Sequence, residues 1–140
     1  MEHSPIKPTA KGPAQTFTGD VYVTPITGPT DTSRLTAALV RFTPGARSNW
    51  HSHNVGQTLH GIDGSGFVGT RDGRVVRIQP GQTVWTPPGE EHWHGSTATT
   101  LMAHLALLDI NEDGSDPTQW LESVTEEQYQ AAHQAAGEAR

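Results

Sequence analysis

Cysteine is absent from the 140-residue chain. That excludes disulfides, thiolate metal sites and thiol nucleophiles, so any metal must be held by nitrogen and oxygen. Aromatic residues make up only 6% and hydrophobic residues 33%, a lean supply for the core of one domain. Basic residues are also few: 9 Lys and Arg against 15 Asp and Glu give a formal net charge of −6. This balance argues against nucleic acid or an anionic membrane as partner. No run approaches the roughly 18 apolar residues of a membrane span. Met1 to Gln15 carries Lys7 and Lys11 but no apolar stretch, so no signal peptide is expected. The resulting expectation is a cytoplasmic protein with a small molecule as its substrate.

What the chain does have is glycine, proline and histidine. Fifteen glycines and ten prolines suggest many short strands joined by tight turns. Strand-like runs are expected at Val21–Val23 (broken by Pro25), Leu35–Phe42, Asn49–His53, Gln57–Ile62, Gly66–Thr70, Val75–Ile78, Thr83–Thr86, His92–Gly95 and Leu101–Ile110. Asp63-Gly64, Asp72-Gly73, Pro80-Gly81 and Pro87-Pro88-Gly89 punctuate them. This spacing predicts an all-β sandwich or barrel. Asp116-Pro117 predicts a short helix around Trp120. Thr125 with Gln128 three residues later forms a capping-box pattern that opens a polar, Ala-rich surface helix. The expected organisation is a loose arm over 1–16, one domain over 17–124 and a C-terminal helix over 125–140.

Five of the eight histidines (His51, His53, His60, His92, His94) fall in two windows. Residues two apart in a strand share a face. His51 and His53 therefore point the same way, with Trp50 and Ser52 opposite. Gln57 follows a short Asn54-Val55-Gly56 turn and can return beside them. The second window repeats the pattern with His92 and His94 around Trp93. If one of that pair joins the first window, three imidazoles and one amide oxygen converge. Such a set suits Mn, Fe, Ni or Zn.

The two windows resemble the cupin superfamily signature G-x5-H-x-H-x3,4-E-x6-G followed by G-x5-P-x-G-x2-H-x3-N. Here it reads Gly45, His51, His53, Gln57, Gly64 and then Gly81, Pro87, Gly89, His92. Gln57 stands where the family has glutamate, and Ser96 where it has asparagine. The resemblance implies a single double-stranded β-barrel (jelly roll) with the metal inside, and makes His92 rather than His94 the fourth ligand. Over most of its length the chain looks like the small bacterial manganese-dependent cupin hydroxynitrile lyases. The matching stretches include Phe17-Thr18-Gly19, Pro44 to Arg47, Trp50-His51, Gly56 to Leu59, Pro88-Gly89-Glu90, His92 to Gly95, His104 to Ala106 and Val124-Thr125. In that family a glutamine is a metal ligand, and the histidine two residues after the last ligand serves as base. Gln57 and His94 hold those positions. Leu108 lies where some relatives carry a polar pocket residue.

The implied reaction is reversible cleavage of a cyanohydrin into a carbonyl compound and hydrogen cyanide, with the metal as Lewis acid and His94 as general base. Neutral Gln57 in place of glutamate leaves the ion's charge uncancelled, which favours redox-neutral chemistry. The expected cofactor is one divalent ion per chain, manganese first, with Fe, Ni or Zn as alternatives. Ser48 and His104 are further candidate catalytic residues. Ala38, Val40, Phe42 and Leu108 are expected to line the substrate pocket. A homo-oligomer, dimer or tetramer, is also expected. His60 is expected on the outer side of its strand, Glu90 and Glu91 in a solvated loop, and the four tryptophans in packing or an interface. The alternative functions are an iron or nickel cupin dioxygenase and a non-enzymatic small-molecule binder. Fold alone decides nothing among these.

Overall fold

The computed structural model describes residues 1–137; the remainder of the expected helix, 138–140, lies outside the described residues. Alternating apolar residues make the strands. β1 (Ala10–Lys11), β2 (Phe17–Thr18), β3 (Val21–Thr27), β4 (Leu35–Phe42), β5 (Arg47–Ser48), β6 (His51–His53) and β7 (Gln57–Gly64) come first. β8 (Gly66–Thr70), β9 (Val75–Ile78), β10 (Thr83–Thr86), β11 (His92–Ser96), β12 (Met102–Asp109), β13 (Thr118–Trp120) and α1 (Glu126–Ala135) follow. One sheet runs β1-β3-β4-β12-β7-β10. The other runs β13-β6-β11-β5-β2, with β8 and β9 joined through β11.

The two sheets face each other across a core of Val21, Val40, Phe42, Leu59, Val68, Ile78 and Met102. β4 and β12 pair along their whole length, setting Phe42 opposite Met102, Val40 opposite His104 and Ala38 opposite Ala106. A second cluster lies on the other side of the β8-β11 sheet. There Trp50, Phe67 and Trp93 pack under Val124, Tyr129 and Ala132. The two tryptophans beside the histidine windows thus pack on the outer side of the barrel wall, where strand alternation puts them.

Four local differences from the sequence reading have physical causes. Trp120 lies in strand β13, not a helix. Thr118, Gln119 and Trp120 pair with His53, Ser52 and His51, and Asp116 Oδ1 accepts the Thr118 N–H at 2.8 Å, so Asp116-Pro117 begins a turn. β3 continues past Pro25 to Thr27 with a register shift. β1 pairs with β3 only at Tyr22 and Val23, so Pro25 faces no outer neighbour and costs no ladder bond. Ala10–Lys11 of the arm is itself that added strand. Helix α1 has the expected capping box at Thr125 and Gln128, but it is more than a surface tail. It buries Tyr129, Ala132 and His133, Tyr129 Oη donates to Ser96 O at 2.7 Å, and Arg47 Nη2 reaches Val124 O at 3.1 Å. No helix among the described residues is long and apolar enough to cross a membrane.

Candidate metal centre

Three strands and one turn assemble the site. His51 and His53 alternate on β6, and β11 sets His92 directly opposite His51. The turn after β6 places Gln57 at the start of β7, where it pairs with Thr86. Gly56 makes that turn with φ +73°, and a Cβ there would run into the Trp85 ring and Thr86 O. Only glycine fits, one residue before Gln57.

The rings of His51 and His92 lie 4.4 Å apart, those of His51 and His53 5.0 Å, and those of His53 and His92 5.3 Å. One ring nitrogen from each lies within 4.8 Å of the others. Each Nδ1 already has a partner. His51 Nδ1 bonds Asn49 O at 2.9 Å, and His92 Nδ1 bonds Glu90 O at 2.9 Å. His53 Nδ1 bonds Thr118 Oγ1 at 2.9 Å. Orientation of a ligating histidine through its other nitrogen is the usual support of a metal site.

His53 Nε2, His92 Nε2 and Gln57 Oε1 are buried and have no hydrogen-bond partner among the described residues. Unmatched buried polar atoms are costly, and a cation would satisfy all of these at once. Burial lowers the proton affinity of all three histidines, with His53 brought down to about 4 and His51 well below its ordinary range. The imidazoles are therefore neutral at pH 7, the form that binds metal. The residues present fit a divalent metal.

Two more buried histidines adjoin the triad. His94 lies 5.0 Å from the His51 ring and stacks on His92 at 5.8 Å. His94 Nδ1 and His104 Nε2 are 3.0 Å apart and share one hydrogen. Burial holds His94 well below its ordinary range and His104 at about 4. His94 Nε2 and His104 Nδ1 have no partner among the described residues. The Phe42 ring lies against both, T-shaped to His94 at 5.7 Å and tilted to His104 at 5.5 Å.

The remaining candidates fall as follows. Ser48 is buried beside His94, and its Oγ accepts the His94 backbone N–H at 3.1 Å. Val40 and Phe42 lie in the core with Ala38 packed against it. Leu108 instead lines a cavity of about 350 Å³ between the end of β12 and the start of β13, with Thr36, Ile110, Gly114, Asp116, Pro117 and Thr118. His60 bonds Thr83 Oγ1 across β7 and β10. Glu91 pairs with Arg71 at 2.9 Å on the surface, whereas Glu90 matters through its backbone carbonyl.

Two residues of the site escaped the sequence reading. Thr118 holds His53, and the Trp120 ring lies 4.7 Å from His51. Their alternation, Thr118-x-Trp120 after a turn-forming Asp-Pro, is the strand signal that could have found them.

A cupin domain model matches residues 38–110. An (R)-mandelonitrile lyase from Granulicella tundricola is 46% identical over 121 residues, covering 86% of this chain and 91% of that one. The crystal structure of a cupin-like protein from Thermotoga maritima superposes with a TM-score of 0.81 at 35% identity, covering 88% of this chain and 92% of that one. A polyketide cyclase from Streptomyces resistomycificus shares the fold at 16% identity, with a TM-score of 0.68 and coverage of 93% and 91%.

Proposed function

The chain belongs to the cupin family, and from that premise we propose that it is a metal-dependent hydroxynitrile lyase, cleaving cyanohydrins reversibly to an aldehyde or ketone and hydrogen cyanide. The observation that carries the proposal is the pairing of a buried, uncharged donor set with a second histidine pair beside it. The substrate class follows from the relative named as a mandelonitrile lyase. His51, His53, Gln57 and His92 hold one divalent ion, manganese first. With four neutral donors the bound ion keeps its full charge and supplies Lewis acidity.

His94 takes the cyanohydrin hydroxyl proton on Nε2, the nitrogen with no partner among the described residues. That requires the tautomer in which His94 Nδ1–H donates to His104 Nε2. As the O–H bond breaks, its electron pair forms the carbonyl. The C–C bond to the nitrile breaks, and cyanide leaves with the proton returned by His94. His104 steadies the imidazolium formed in between, as an orienting partner does for a catalytic histidine. Ser48 fixes the backbone of His94. The cavity beside Leu108 and Ile110 would offer an apolar wall to the carbonyl substituent.

The protein reconstituted with manganese should release cyanide from mandelonitrile without consuming oxygen. Oxygen uptake with small diketones, and no cyanide release, would replace the lyase reading with a dioxygenase. We also propose that copies pair through the outer face of the β3-β4-β12-β7-β10 sheet, giving a dimer or tetramer. Tyr22, Ile62 and Trp85 are exposed on its strands β3, β7 and β10, and apolar side chains on one face favour a covered surface. Light scattering that finds only monomer at micromolar concentration would sink the pairing.

A further inference from the structure

The three histidines of the triad are not held alike. His51 and His92 each bond a backbone carbonyl two residues earlier on the same segment, Asn49 O and Glu90 O. A carbonyl only accepts, so each ring must carry its proton on Nδ1 and leave Nε2 free as a ligand. His53 bonds a side chain instead, and that side chain lies 65 positions away in sequence. A hydroxyl both donates and accepts. The His53 proton is therefore fixed only when Nε2 is occupied; Nδ1–H then donates to Thr118 Oγ1.

Thr118 is itself tightly placed. It stands directly opposite His53 in the β13–β6 pairing. Its N–H goes to Asp116 Oδ1 at 2.8 Å, and Asn54 N–H, just past His53, goes to Pro117 O at 2.9 Å. Thr118, Pro117 and Asp116 all line the cavity beside Leu108. The segment that borders this cavity is thus the segment that orients one metal ligand. We propose that Thr118 is a positioning residue for the metal centre: its hydroxyl sets the orientation and tautomer of His53, tying the β13 segment to the affinity of the site.

The proposal rests on the ligand role given to His53 above. It is tested without substrate, by competing Mn(II) and Co(II) binding to the full chain against a chelator of known affinity. Thr118→Val keeps the branched shape and strand preference but removes the hydroxyl. Its affinity should fall about 10- to 100-fold, the usual effect of losing such a supporting contact. Thr118→Ala should do the same if the valine protein does not fold. Thr118→Ser should bind within a fewfold of the parent. The visible spectrum of the cobalt-loaded valine protein should shift, which loss of stability alone would not cause, and the serine protein should restore it. Parent-like affinity and spectrum in the valine or alanine protein overturn the proposal, as does a serine protein as weak as valine. If the parent chain binds neither ion, the ligand reading itself falls and takes this inference with it.

Discussion

The five buried histidines inside the barrel form two groups that differ in what their second ring nitrogen touches. In the triad, each Nδ1 is bound to an oxygen outside the cluster, so the Nε2 atoms are left for a common ligand. In the pair, His94 and His104 bond each other, and each keeps one nitrogen without a partner among the described residues. The carbonyl partners of His51 and His92 fix the proton in place, and the Thr118 hydroxyl does so for His53 once its Nε2 is occupied. A histidine partner lets the proton shift, because either ring can donate. On the function proposed above, the same side chain serves to hold a cation in one place and to pass a proton a few ångströms away.

Removing one residue from each group should separate these roles most sharply. His92→Ala takes one of four donors from the ion. Structural zinc sites bind with about 10–16 kcal/mol, which spread over four ligands is about 3 kcal/mol, or on the order of a hundredfold in affinity, for each. Metal content after dialysis should drop accordingly, and cyanide release with it. His94→Ala should keep its metal and lose about 10²- to 10⁴-fold in cyanide release, the range typical of a removed general base. A His94→Ala protein that loses its metal instead would erase the distinction between the groups. One that retains full turnover would leave His94 as packing.

Part of the candidate site was legible in the sequence because its geometry is local: His51 and His53 on alternate strand positions and a glycine turn before Gln57 need only strand periodicity to be read, whereas the choice of His92 over His94 came from resemblance. The role of His94 came from resemblance. Its contact with His104 depends on facing sheets, β11 in one and β12 in the other, and no spacing in the chain encodes that distance. The same limit hid Thr118. Asp116-Pro117 is a sound helix-start signal, but the pairing of β13 with β6 settles the conformation, and a three-residue strand has too few positions to announce itself. Helix α1 was read correctly from its capping box, yet its packing face was not. Tyr129 and His133 are buried because Trp50, Phe67 and Trp93 lie beneath them, a surface that exists only once the barrel has closed. Leu108 was placed by alternation on the same strand face as His104, and it is the one of the four expected pocket residues that borders the cavity beside β13.

The smallest expected effect concerns acid, and it separates the groups by what protects them. His104 has its proton affinity lowered from 6.5 to about 4, by burial first. In the unfolded chain it would bind a proton near pH 6.5, while the folded protein refuses it until about pH 4. Between those values the unfolded state holds more protons, so stability rises with pH and falls as pH drops. One such histidine contributes a slope of about 1.4 kcal/mol per pH unit within the window. Denaturant unfolding of the metal-free protein at pH 7, 6 and 5 should therefore show stability lost mainly below pH 6.5, before most carboxylates titrate. His104→Leu should flatten the slope by about one proton. Bound metal keeps protons off the triad of the folded protein while the unfolded chain still takes them up, so the loaded protein should keep at least the slope of the metal-free one. If the metal-free protein is equally stable at pH 7 and pH 5, the buried histidines are not held neutral by the fold. If His104→Leu leaves the loaded protein's slope unchanged, the second group does not titrate apart from the first.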